Sequence, residues 1–234
     1  MTRFRVEPIH NLFLVLAALM VAGTTVYRTL ASRRPAESSA APRGYYPRWR
    51  ELLPLATTRG STVAPVTFVV LSDLQCPYCA QLHRSLSQID SISPSTIRYA
   101  FIHFPVASHS MSVSAAAGAN CAEAQGQFFP FVDLVFRNMR TLPRIRVLAD
   151  SLPSLAPGRF RSCLSAADTS ALVRVRDRLA VSLSVRGTPT VYINGWRVNG
   201  ALADTTLGRV VQDIISRRRP FDDFPVSELP PEGE

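Results

Sequence analysis

The chain has 234 residues, 47% hydrophobic and 18% charged, which suits one domain with appendages and enough apolar material to bury a core without disulfide staples. Its net charge is +9, yet all 26 basic residues are arginine, and they are scattered: Arg3, Arg48, Arg98, Arg144, Arg176 and Arg209 lie in different segments. With no lysine and no aromatic–basic motif the charge argues against a nucleic-acid partner; it reads as compositional bias, an anionic membrane surface being the weak functional alternative.

In chain order, residues 1–8 are a short leader carrying Arg3 and Arg5, followed by an apolar stretch over 9–27. Counted from Ile9 to Tyr27 it has 19 positions, the length of a transmembrane anchor; counted from Leu12 to Gly23 it has 12, the length of a signal-peptide core. No clean A-x-A cleavage site follows, which favours an uncleaved anchor. Either reading exports what comes after. Residues 28–60 read as a linker, Ser/Ala/Pro-rich over 31–44, with room for a short docking helix in Tyr45–Leu55. Val66–Leu71 is a β-branched run typical of a buried strand, and a helix opens at Cys76. Ile97–Phe104 is a second strand, stopped by Pro105. About 110–185 is mostly helical, broken near Pro143, Pro153 and Pro157. Thr190–Ile193 and Trp196–Val198 form a hairpin around Asn194-Gly195, and Thr205–Ser216 is a closing amphipathic helix. The acidic, Pro-rich tail 221–234 is expected to be loosely ordered. Strand, helix, strand, helical block, hairpin, helix is the order of a thioredoxin fold with a helical insertion, here within 61–220, behind an N-terminal hydrophobic helix.

Four cysteines are present: Cys76, Cys79, Cys121 and Cys163. One C-x-x-C and two distant singles, with His10, His83, His103 and His109 at unrelated spacings, do not make a zinc pattern, and no metal site is expected. Cys76-Pro77-Tyr78-Cys79 sits directly after a buried strand, at a helix start. Disulfide exchange needs a thiolate and a second thiol within reach. Pro77 fits the first helical position, and the helix N-terminus stabilises a Cys76 thiolate. Cys79, Leu82, Leu86 and Ile89 lie on one apolar stripe. That phase puts Cys79 on the buried face as the resolving thiol and leaves Cys76 at the exposed tip as the nucleophile. Tyr78 is expected to be exposed and, with Pro77, to tune the thiolate.

Ala64-Pro65-Val66-Thr67 with Ser72-Asp73-Leu74-Gln75-Cys76-Pro77-Tyr78-Cys79 resembles the first strand and active site of DsbA-like thiol–disulfide oxidoreductases of the thioredoxin superfamily. Gly187-Thr188-Pro189-Thr190 and Val191–Gly195 resemble that family's cis-proline loop and hairpin, and Cys121–Phe129 resembles one of its helices; the likeness spans 61–216. It implies a cis Pro189 facing the CPYC helix, with the Thr188 backbone free to pair with an extended substrate peptide. It also favours a Cys121–Cys163 disulfide, as does an oxidising compartment; two buried thiols are the alternative. One position departs from the pattern. The family often keeps a buried carboxylate six residues before the first cysteine, beneath the resolving thiol, and here that residue is Val70. Asp73 is nearer, but its place at the strand end suits a turn or cap.

Among the remaining candidates, His83 reads as part of a solvated face, His103 as a packed strand residue and His109 as the start of the next helix. Phe128, Phe129, Phe131 and Phe136 read as core, and Arg217–Arg219 as the cationic end of the last helix. The expected function is an exported, membrane-tethered oxidoreductase on the extracytoplasmic side of the cell envelope, or a soluble periplasmic or secreted one after cleavage. It would exchange disulfides with protein substrates and carry no cofactor beyond the Cys76–Cys79 pair. By the resemblance, an oxidase needs a membrane partner of the DsbB or vitamin-K-epoxide-reductase (VKOR) class, and a reductase needs a membrane electron donor. The alternatives are a non-catalytic thioredoxin-fold chaperone or Cu(I)-delivering assembly factor, and a cytosolic glutaredoxin, which the leader and the helical insertion oppose.

Overall fold

The apolar, β-branched segment Val66–Ser72 (β3) is buried along its whole length, as a strand covered on both faces must be. It lies at the centre of a six-stranded sheet of order β1-β6-β5-β3-β4-β2. The remaining strands are Pro42–Tyr45 (β1), Thr57–Arg59 (β2), Ile97–His103 (β4), Thr190–Ile193 (β5) and Trp196–Asn199 (β6). The computed structural model describes residues 42–139 and 145–221, together with residues 16, 19, 20 and 22–24. β3 pairs parallel with β4, Val70 opposite Phe101 and Ser72 opposite His103. It pairs antiparallel with β5.

Seven α-helices accompany the sheet: α1 Pro77–Ile92, α2 Ser112–Glu123, α3 Phe128–Arg137, α4 Ile145–Ala149, α5 Pro157–Ala166, α6 Thr169–Ser182 and α7 Asp204–Ile215. Their apolar stripes decide where they pack. On α3, Phe128, Phe131, Val132, Val135 and Phe136 recur at helical spacing and are all buried. They join Leu82 and Leu86 of α1, Phe160 of α5 and Leu207 and Val210 of α7 over the sheet face bearing Phe68 and Val70. The opposite face, bearing Val69, Leu71 and Tyr192, is covered by Trp49, Leu52, Leu179 and Leu183. The hairpin turn uses Asn194 and Gly195 at φ 47° and 97°, as a two-residue turn requires. A Cβ on Gly195 would lie 2.6 Å from both Trp49 and Tyr45, so the turn tucks beneath the N-terminal aromatics. This is the α/β thioredoxin fold with a helical insertion between its βαβ half and its C-terminal hairpin and helix.

The boundary expected at residue 61 moves. β1 and β2 are edge strands of the sheet, paired with β6 and β4, and Trp49–Leu55 is a 3-10 helix that buries Trp49 and Leu52. The short docking helix expected in Tyr45–Leu55 is thus present, but the segment is no linker: three or four residues of backbone pairing and one tryptophan suffice to attach 42–59 to the domain. The chain divides into two compact units, Met1–Glu37 and Ser38–Glu234. Residues 16, 19, 20 and 22–24 of the first are helical; the rest of the expected 9–27 segment, the linker up to 41 and the tail from 222 lie outside the described residues. Among the described residues no helix is long and apolar enough to cross a membrane.

Candidate redox site

β3 ends at Ser72, and Asp73-Leu74-Gln75 turns the chain into α1, whose N-cap is Cys76 and whose first residue is Pro77. The turn is held by its own groups. The Cys76 N–H donates to the Asp73 carbonyl at 3.1 Å, and the Gln75 N–H donates to Asp73 Oδ1 at 2.7 Å. Asp73 Oδ2 accepts from the Val106 N–H at 2.8 Å and contacts His109 Nδ1 at 2.8 Å. Gln75 Oε1 accepts from the Met111 N–H at 2.7 Å. The segment after β4 is thereby tied to the redox turn.

The two sulfurs have different surroundings. The Cys79 Sγ accepts from the Asp73 N–H at 3.4 Å. Burial pushes the Cys79 thiol well above the ordinary value, and neighbouring Cys76 adds to the rise; the Asp73 N–H and the nearby Ser72 hydroxyl pull the other way. The Cys76 thiol, 3.4 Å from the Thr188 carbonyl, is held down at about 6. The hydrogen bond from the Cys79 side chain is the main cause, opposed by burial and assisted by the Cys79 and Tyr78 backbone N–H groups of the first turn. The pair thus shares one proton, kept on Cys79.

The structure brings Cys76, Pro77, Cys79, Thr188 and Pro189 together, and the Thr188–Pro189 bond is cis. Tyr78 points outward, half exposed. Cys76 departs from the expected exposed tip. It is only 4% exposed, because the Thr188–Pro189 loop, fixed by the Gly200 N–H on the Pro189 carbonyl at 2.7 Å, lies over it. His83 departs further. In place of a solvated face it is buried, its ring against Tyr99 and Phe136, with Nδ1 3.4 Å from the Tyr99 hydroxyl and Nε2 hydrogen-bonded to Asp133. Helix α3 covers that face of α1. His103 is half-buried, pushed down to about 4 by desolvation against an opposing Asn120 hydrogen bond. His109 precedes α2 and faces Asp73.

Val70 is buried in the same apolar cluster as Cys79, so no carboxylate stands at that position. Cys121 on α2 and Cys163 on α5 are joined, S–S 1.97 Å, across 42 residues. Among the described residues no group of three or more His, Cys, Asp or Glu side chains could hold a metal ion. The residues that sequence reasoning passed over are Asp73, as more than a turn former, and His109. The available signal was an acidic residue three positions before Cys76, at the end of an otherwise uncharged strand.

The family model described as thioredoxin matches residues 54–213. Over 172 residues the chain is 34% identical to a Na(+)/H(+) antiporter NhaA 1 of Salinispora arenicola, covering 70% of this chain and 26% of that protein; the chain therefore spans about a quarter of the first curated relatives' length. It is 24% identical to a probable disulfide bond formation protein D of Bacillus anthracis, covering 77% of this chain and 84% of that protein. Among solved structures, alpha-DsbA1 of Wolbachia pipientis superposes with a TM-score of 0.61 at 21% identity, covering 70% of this chain and 93% of that one, which shows a shared fold.

Proposed function

This chain belongs to the thioredoxin family, and on that premise we propose that it is an exported thiol–disulfide oxidoreductase acting on protein substrates through Cys76 and Cys79. The observation that carries the reading is the split between the two thiols: Cys76 held at about 6 at the helix start, Cys79 pushed far up beneath it. At neutral pH one sulfur is a nucleophile and a good leaving group while the other holds the proton, the division of labour that exchange requires. A substrate thiolate attacks oxidised Cys76, Cys79 leaves and takes up a proton, and a second substrate thiolate displaces Cys76. Run backwards, the same steps reduce a substrate disulfide. The Thr188–Pro189 loop beside Cys76 supplies a backbone edge for an extended substrate.

The name of the Bacillus anthracis relative, the apolar leader and the Cys121–Cys163 disulfide all support an oxidising compartment outside the cytoplasm. The domain is then tethered by the 9–27 segment or released after cleavage. Its membrane redox partner is of the DsbB or VKOR class if it oxidises, or an electron donor if it reduces. Antiport is not carried to this chain, because the match occupies a quarter of the antiporters. Reduction of insulin by the wild-type chain, lost in Cys76→Ser, is the expected result; a wild-type chain that binds unfolded peptide without turnover would instead assign it to the chaperone or metal-delivery class. The reduction potential of the pair then gives the direction.

A further inference from the structure

Exchange through this site moves a proton as well as electrons, and the buried sulfur is where it must move. When Cys79 attacks a Cys76–substrate disulfide, the Cys79 S–H bond breaks and the Cys76–Cys79 bond forms. The Cys76–substrate bond breaks, the substrate leaves as thiolate with that electron pair, and one proton must leave the interior. Position 70 is a buried valine, so the acceptor lies elsewhere.

Resting on the disulfide-exchange reading above, we propose that Asp73 and His109 are the route by which the Cys79 proton leaves and re-enters, in place of a carboxylate at position 70. Asp73 lies beside the reacting atom: its backbone N–H donates to Cys79 Sγ at 3.4 Å, and its side chain is fully buried. Its carboxylate is oriented by the Gln75 and Val106 N–H groups, so it cannot swing to water. Among the described residues its ion-pair partner is His109, whose side chain is 29% exposed and touches both the carboxylate and solvent. Two further buried polar atoms flank this turn, Ser72 Oγ and His103 Nε2. Ser72 and His103 are cross-strand neighbours, Ser72 acts on the Cys79 thiol, and His103 feels the Asp73 charge. A line of polar contacts therefore runs from Cys79 past Asp73 to a surface histidine. The charged and titratable groups facing it are Cys76 from α1, His103 from β4 and His109 from the loop before α2. Beyond Cys79 lies a competing set, Tyr99, which feels the Cys79 charge, then His83 and Asp133. Neither an Asp133 nor a His83 hydrogen bond reaches the sulfur among the described residues, whereas the Asp73 backbone N–H does.

His109 acts through Asp73 and is a positioning residue, so the test separates the two chemical steps. The reduced full-length chain is mixed with oxidised glutathione, and acid-quenched samples are weighed. The first step, Cys76 attack, gives the glutathione adduct; the second, Cys79 attack, removes it. Asp73→Asn and His109→Ala are each expected to slow the second step relative to the first by about 10-fold or more, the low end of general acid–base effects, and added imidazole is expected to restore His109→Ala in part. If Asp73→Asn fails to fold, His109→Ala with imidazole decides alone. Unchanged second steps, equal slowing of both steps, or an equal effect from Asp133→Asn would each overturn the route while leaving exchange intact. A wild-type chain that forms no adduct would overturn the function, and the route with it.

Discussion

Cys76 stands at the start of α1, as the helix phase predicts, but beneath the Thr188–Pro189 loop and not at an exposed tip. Its thiol is held near 6, against an ordinary 9.0, by the Cys79 side chain and the first turn of α1. Alkylation by iodoacetamide, which consumes thiolate, is therefore expected to rise through about pH 6 and to be flat by pH 7.5, where an ordinary thiol is still nearly inert. In the same chain Cys79, raised by burial, is expected to stay unlabelled until the chain is unfolded; a single profile centred above pH 8 would sink the assignment. The place of both cysteines at the start of α1 was legible because it follows from a local fact, the phase of one helix. His83 was not. Its neighbours Gln81 and Arg84 look solvated, and its burial is decided by Asp133 and Phe136, about fifty residues away on α3. Asp73 was half legible. Its turn role shows in the Gln75 N–H bond, but its contact with Cys79 depends on α1 folding back over the end of β3.

At the scale of elements, the strands that were legible are those whose own side chains bury them. Val66–Ser72, Ile97–His103 and Thr190–Ile193 were readable to within about a residue because β-branched runs bury on both faces of a central sheet. β1 (PRGY) and β2 (TTR) carry no alternation. Their pairing is conferred by β6 and β4, so only the folded chain discloses it. The helical insertion was readable in extent, and its internal order depends on one covalent tie, between α2 and α5. That tie closes 42 residues of chain, far from the Cys76 sulfur in sequence and in a different element. Replacing both Cys121 and Cys163 by alanine is expected to lower the unfolding free energy by about 2–4 kcal/mol, largely by freeing the unfolded chain, while the Cys76 alkylation profile stays in place. Urea unfolding without reductant measures the first and labelling the second. A loss below about 0.5 kcal/mol would mean that the insertion is held by Phe131, Phe160 and their neighbours alone.

For the molecule as a whole, the site couples redox state to folding. In the reduced chain Cys76 ionises near 6 when folded and near the ordinary 9.0 when unfolded, so the unfolded state holds a proton that the folded state has released. Stability then rises with pH across that window and is lost as pH falls through about 6. The raised Cys79 works in the opposite sense, but only above its own unfolded value of 9.0, where the unfolded chain ionises and the folded chain does not. The oxidised chain has neither thiol and lacks both effects, while every other titrating group is common to the two forms. The difference in stability between reduced and oxidised chain should therefore shift towards the reduced form between pH 6 and pH 8, by at most about 1.4 kcal/mol per pH unit, and shift back above pH 9. Thermal unfolding of both forms over that range reads the difference directly, because the common groups cancel. A pH-independent difference would mean that the Cys76 thiolate is not stabilised by the fold, and the proposed division of labour between the two sulfurs would fall with it.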